Sequence, residues 1–161
     1  MVSIYFFCKH KVLGNNTMDM REHILEMINS NEGIFENAFL NIKATDEEIL
    51  QAEQKLGFKI PDSYIWFLKE FGHGGFFFEF MGYGLNGKAI FAEETLKQRE
   101  NGLPANLLIF QNCDEYFDCI NVVTGNVVSW SMYDKDGVVD KYQDFYEYFI
   151  ECLENAIENY E

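Results

Sequence analysis

The chain has 161 residues, 48% of them hydrophobic and 17% aromatic, which suits one domain with a substantial core. Its 27 acids against 12 Lys and Arg give a formal net charge of −15, which argues against nucleic acid as a direct ligand, because phosphate binding needs a basic surface. The same balance suits a basic protein partner, or solubility alone.

Met1–Thr17 stands apart from the rest, with Lys9 and Lys11 and no acid. Residues 1–19 are read as an N-terminal extension, either foreign to the natural product or poorly ordered, and 20–161 as a single domain. Asp19 and Glu22 have the spacing of a capping box ahead of a short amphipathic helix through Ile24, Leu25 and Ile28. Ile34–Ile42 reads as a connection anchored by Phe35, Phe39 and Leu40.

Thr45–Gly75 carries the strongest pattern. Thr45 and Glu48 form a second capping box, and Ile49, Ala52 and Leu56 share one helical face. Gly57 supplies a left-handed stop. Ile60–Pro61 opens a second helix whose buried stripe is Tyr64, Phe67, Leu68 and Phe71, and Gly72, Gly74 and Gly75 end it. Glu53 lies at the edge of the apolar face, where a carboxylate needs donors. The reading is that it braces the turn after Gly57 rather than acting in catalysis. Trp66 points away from the stripe. It is read as packed on a neighbouring helix, with a partner-binding anchor as the alternative.

Phe76–Leu85 has the aromatic content of a strand buried on both faces, or else of a hydrophobic patch for a partner. Ala89–Glu100 reads as a helix stopping at Asn101–Gly102. Leu107–Phe110 is a predicted strand, and Asn112–Glu115 a polar turn. Tyr116–Val123 and Val127–Met132 make a hairpin about Thr124–Gly125–Asn126. Asp134–Gly137 is another turn. The final helix has an apolar stripe from Tyr142 to Tyr160. Its opposite stripe is Asp140, Asp144, Glu147, Glu151, Glu154, Glu158 and Glu161, an unbroken run of acids. Such a run is usually a solvated face, but like charges at this spacing repel and the last of them oppose the helix dipole.

No catalytic residue, metal ligand or cofactor is assigned. His10, His23 and His73 are far apart, and His73 reads as a polar loop residue. Cys8, Cys113, Cys119 and Cys152 form no C-x-x-C pair and read as reduced thiols. Asp114, Glu115 and Asp118 match no calcium loop. The apolar stretch Val2–Cys8 is too short for a signal peptide and nothing approaches a membrane span, so the expected location is cytoplasmic.

Ile49, Ala52–Glu53, Leu56–Gly57, Ile60–Pro61, Tyr64, Phe67–Leu68 and Gly74–Gly75 resemble the signature of the SUKH superfamily, with Tyr116–Phe117, Gly125, Val127–Val128 and Trp130 resembling its sheet half. That superfamily includes fungal cell-wall assembly regulators and bacterial immunity proteins. The YobK-type immunity proteins are especially similar in their Trp-Phe-Leu run and glycine-rich stop. The resemblance covers Met20–Glu161 and implies an α+β fold, with an antiparallel-dominated sheet flanked by helices. It implies a non-catalytic immunity protein that neutralises the toxic domain, often a nuclease, of a polymorphic or contact-delivered toxin. A regulatory scaffold is the alternative, and an enzyme using the Asp114–Asp118 carboxylates a further one. The expected partner is a basic toxin domain, with neither nucleic acid nor membrane, and the chain itself a monomer or weak homodimer. Asp114, Glu115, Asp118, Asp134, Asp136 and Trp66 are the candidate partner-binding residues.

Overall fold

A computed structural model describes residues 17–134 and 137–160, with side chains from residue 20 onward. The predicted N-terminal extension lies almost wholly outside the described residues. The elements run α1 (Thr17–Ser30), α2 (Glu32–Phe35), α3 (Asp46–Leu56), α4 (Asp62–Glu70), α5 (Ile90–Arg99), β1 (Leu107–Asn112), β2 (Phe117–Asn121), β3 (Val127–Trp130), β4 (Val138–Tyr142) and α6 (Phe145–Asn159). The four strands form one antiparallel sheet in the order β1-β2-β3-β4. This is an α+β fold, as the sequence predicts.

The α3–α4 pair forms for local reasons. Thr45 Oγ1 accepts from Glu48 N at 3.2 Å, and Glu48 Oε2 accepts from Thr45 N at 2.9 Å, so the capping box closes. Gly57 ends α3 at φ 81°, a left-handed value that a side chain would resist. Glu53 Oε2 accepts from Ile60 N at 2.9 Å, tying α3 to the extended link before Pro61. Pro61 is the N-cap of α4 rather than a residue of its first turn.

Aromatic rings knit α4, the irregular middle and α6 into the core. Tyr64, Phe67, Phe80, Phe110, Phe145 and Phe149 are all 0% exposed. Centroid separations of 5.5 Å for Phe67–Phe80, 5.2 Å for Phe80–Phe149 and 5.5 Å for Phe110–Phe145 are in the range where edge-to-face pairs add to area burial. Phe110 stands at the bulge between Ile109 and Gln111, one residue extra on β1, which lets it join this cluster. On the other side α5 packs along β1, where Thr95 Oγ1 accepts from Ile109 N at 3.0 Å.

Four sequence expectations are corrected. Asp19 does not cap a helix, because α1 is already under way at Thr17. Leu40 is no anchor, being 46% exposed. Phe76–Leu85 is not a doubly buried strand. It makes only isolated bridges, Gly74 with Phe80 and Tyr83 with Ala89, because the glycines pull the chain into turns. The terminal helix starts later than its stripe suggests. Asp140 belongs to β4, and Asp144 caps α6 by accepting from Glu147 N at 3.0 Å. The acidic stripe on α6 is therefore Glu147, Glu151, Glu154 and Glu158.

Candidate protein-binding surface

The meander brings two acidic connections to one end of the sheet. β1 and β3 run toward that end and β2 and β4 away from it, so the β1–β2 turn and the β3–β4 loop are neighbours. Phe117, Trp130 and Val138 lie side by side in register just beneath them, with Phe117 stacked on Trp130 at 6.2 Å.

Asp114 and Glu115 are both exposed at the tip of the first turn. Cys113 N donates to Tyr116 O at 2.9 Å, and Asp114 N to Asn112 Oδ1 at 2.9 Å. Asp114 takes φ 65°, a conformation aspartate tolerates better than most residues. The carboxylates thus stand on a pinned turn. Asp134 is exposed in the neighbouring loop, where its carbonyl accepts from Gly137 N at 3.2 Å. Asp136 lies outside the described residues. A shallow cleft of about 350 Å³ opens at the same end, lined in part by Pro104, Trp130, Met132, Asp134 and Val138.

Asp118 and Trp66 depart from the predicted surface. Asp118 is 0% exposed and faces inward, because period-two alternation along β2 turns it toward α6. Its Oδ2 accepts from Gln111 Nε2 at 3.0 Å, from Cys113 Sγ at 3.4 Å and from the Tyr148 hydroxyl. Its Oδ1 accepts from Lys141 Nζ at 3.0 Å. Gln111 also donates to Tyr148 Oη at 2.7 Å and accepts from Glu79 N at 2.8 Å. The cluster is a closed polar network holding the end of the sheet to α6. Trp66 is half-buried, as the packed reading expects. Its ring lies 5.6 Å from Phe71 and 5.7 Å from Tyr146, with the Arg21 guanidinium 5.7 Å from its centroid.

Of this network the sequence reading singled out only Asp118 and Cys113. A polar tip inside the stripe of α6 is the signal that could have found Tyr148. Lys141 gives no such signal, since nothing local says that it reaches across β3 to β2. Its ammonium also sits 4.4 Å from the Tyr116 ring centroid. Burial works against the Lys141 charge, but the Asp118 hydrogen bond and charge outweigh it and hold its pKa above the usual value.

The thiols around this network are poor nucleophiles at neutral pH. Burial first, then Asp118, pushes Cys113 from 9.0 up to about 11. Burial pushes Cys152 up to about 12 and Cys119 well above its ordinary value. Tyr83 rises to about 12, again chiefly through burial. For such groups the unfolded chain gives up its protons first. Stability is therefore constant below about pH 9 and falls as pH rises through the folded-state values. Melting temperature should be flat from about pH 7 to 8.5 and should decline continuously between about pH 9 and 12. A melt unchanged at pH 11 would contradict these assignments.

Among the described residues no group of three or more His, Cys, Asp or Glu is arranged to hold a metal ion. No helix among them is long and apolar enough to cross a membrane.

A second feature lies where the glycine-rich stop meets α6. Phe77 is 69% exposed and takes φ 63°. For a bulky L residue that backbone costs roughly 1–2 kcal/mol. Phe76, half-buried, sits 4.6 Å from Phe77 and 6.1 Å from Tyr160, ring centre to ring centre. His73 beside them lies in the loop, as the sequence predicts, and is only 9% exposed. Its Nδ1 accepts from Gly82 N at 2.9 Å, and its Nε2 lies 2.9 Å from Glu79 Oε1.

A family model described as SMI1-KNR4 cell-wall, of the SUKH group, matches residues 21–154. The chain belongs to this SUKH family. The match begins within α1 and ends within α6, so it takes in both the α3–α4 signature and the whole sheet. Within the SUKH fold, Ile49, Leu56, Ile60, Tyr64, Phe67, Leu68 and Trp130 are buried core residues. Glu53, Gly57, Pro61, Gly74 and Gly75 shape the links between elements.

Proposed function

We propose that this SUKH protein is an immunity protein, which binds the toxic domain of a cognate polymorphic or contact-delivered toxin in the cytoplasm and blocks it without catalysis. Membership of the family over residues 21–154 carries the reading. The net charge of −15 supports a basic partner, such as a nuclease domain whose cleft an acidic protein can occupy in place of nucleic acid. The exposed Asp114–Glu115 turn, with Asp134 in the adjacent loop, is the proposed point of first contact. It offers carboxylates on a firm base, whereas Asp118 is spent inside the fold.

A toxin domain encoded beside this gene would be the natural probe. Its association rate should fall on the order of tenfold between low and high salt, since electrostatic steering is screened. Asp114→Lys with Glu115→Lys should slow association by a similar factor. The same pair should leave the melt nearly unchanged, because exposed substitutions usually stay within about 0.5 kcal/mol. Salt-independent binding, unaltered by the reversal, would leave the acidity as solubility alone. The family description also names the cell wall, which favours a second reading: a regulatory scaffold for a cell-wall synthesis protein. A neighbouring gene with no toxin domain would shift the balance to that reading.

A further inference from the structure

We infer that Phe77 is a displayed anchor, the apolar knob by which this protein seats in a pocket of a basic protein partner. The inference rests on the immunity reading for the partner's identity. Three observations converge on it.

The first is display. A side chain 69% exposed in a molecule with this many buried rings has not been placed by core packing. Its neighbours Phe76 and Phe78 in the same run are half-buried and packed against the core, so the chain has inward positions for aromatics here and uses them.

The second is the backbone. Phe77 is one of three non-glycine residues with positive φ among the described residues, beside Asn41 and Asp114. Asn and Asp are the types that tolerate that region; Phe is not. The two ends of the run hold it there. Gly75 N donates to Ala38 O at 2.9 Å, while Gly74 and Phe80 exchange backbone hydrogen bonds at 3.0 and 2.9 Å. Strain held in this way points to a function for the residue that bears it.

The third is charge. The rings of Phe76 and Tyr160 meet, and the Gly75–Ala38 bond draws in the segment before α3. Residues 22–42, 70–87 and 142–161, the three segments that converge here, contain no Lys or Arg at all. Glu36, Glu79 and Glu158 are exposed on them. An apolar knob among segments that carry exposed acids and no Lys or Arg is complementary to an apolar pocket ringed by Lys and Arg. It repels a second copy of this chain, which carries the same −15.

Two variants separate display from packing. Phe77→Gly removes the ring and relieves the left-handed backbone. Phe77→Asn removes the ring but keeps a residue that tolerates the conformation without the extra unfolded-chain freedom of glycine. Against a toxin domain encoded beside the gene, both should weaken affinity at least tenfold, as loss of an aromatic hot spot does. Both should melt at or about 2 °C above the unmodified chain. A loss of affinity with an unchanged or raised melt supports the anchor. Unaltered affinity, or a melt lowered by several degrees in both variants, overturns it and makes Phe77 a neutral or structural residue. If the unmodified chain fails to bind that domain, the immunity reading falls and the anchor falls with it. Binding that survives Phe77→Gly but is lost in the Asp114→Lys, Glu115→Lys variant leaves immunity standing and removes the anchor alone.

Discussion

Asp118→Ala is expected to cost about 3–5 kcal/mol, the range for breaking a buried ion pair by removing one partner. The carboxylate is 0% exposed and accepts from Gln111, Cys113, Tyr148 and Lys141. Its loss takes this acceptor from the Tyr148 hydroxyl and the Cys113 thiol, leaves Gln111 only its bond to Tyr148, and leaves an ammonium without its counter-ion. Lys141 is 28% exposed along its side chain and can turn to water, which holds the cost to the lower part of the range. Asp118→Asn keeps an acceptor for Tyr148 but surrenders the charge, so it should fall between the two. Urea unfolding of the three chains is the measurement. An Asp118→Ala midpoint within error of the parent would mean that the network contributes nothing net to stability. The same variant should leave binding through Asp114 intact at temperatures where it remains folded.

Gly82→Ala should be at least as damaging, for a steric reason. A Cβ built at position 82 would lie 1.5 Å from Gly72 O and 2.6 Å from Gly72 C. Backbone occupies that space, so no side-chain rotation relieves the clash. Moving it would break the bond from Tyr83 N to Gly72 O and the one from Gly82 N to His73 Nδ1. Both anchor the glycine-rich stop to the segment that leads into α5. We expect a chain that fails to accumulate as soluble protein, or one that melts more than about 10 °C lower. Gly33→Ala is the matched control. Nothing lies within 4 Å of a Cβ there, and the position is helical, so that change should be neutral or stabilising by about 0.5–1 kcal/mol. Equal melts for the two variants would contradict the close approach at Gly82.

What the sequence made legible is what local physics decides. The box at Thr45–Glu48, the stop at Gly57 and the Glu53 brace involve residues within a few turns of one another. Spacing alone therefore identifies them, and the family signature is written in them. The hairpin of β2 and β3 was legible for the same reason. Non-local matters were not. Val138–Tyr142 pairs with β3 across a loop, and its residues were absorbed into the helical stripe that follows, because Tyr142 continues that periodicity by chance of position. Phe76–Leu85 has strand composition, but its glycines bend it. Of the candidate surface, Asp114 and Glu115 could be read from the turn residues around them. Asp118, only three positions on, could be separated from them only by counting the alternation of β2, and its partner Lys141 by nothing local at all. Phe77 shows the limit most plainly: which member of a triple-phenylalanine run faces water is settled by the backbone, not by composition.

Arg21 joins the first and the last of the described helices. Its Nε donates to Tyr146 Oη at 2.7 Å across 125 positions of sequence, while its guanidinium lies over Trp66 and Tyr146. α1 thus has its docking site on α6, which is made more than a hundred residues later. During synthesis α1 emerges with its apolar face exposed and must wait for the helices and strands up to α6 to be made before that face is covered. The α3–α4 pair, closed by its own caps, needs no such delay. Ribosome-bound chains cut short before residue 145 should therefore carry a formed α3–α4 pair and an undocked α1. They would draw on chaperones that shield apolar helices, and the domain would close only once α6 has emerged.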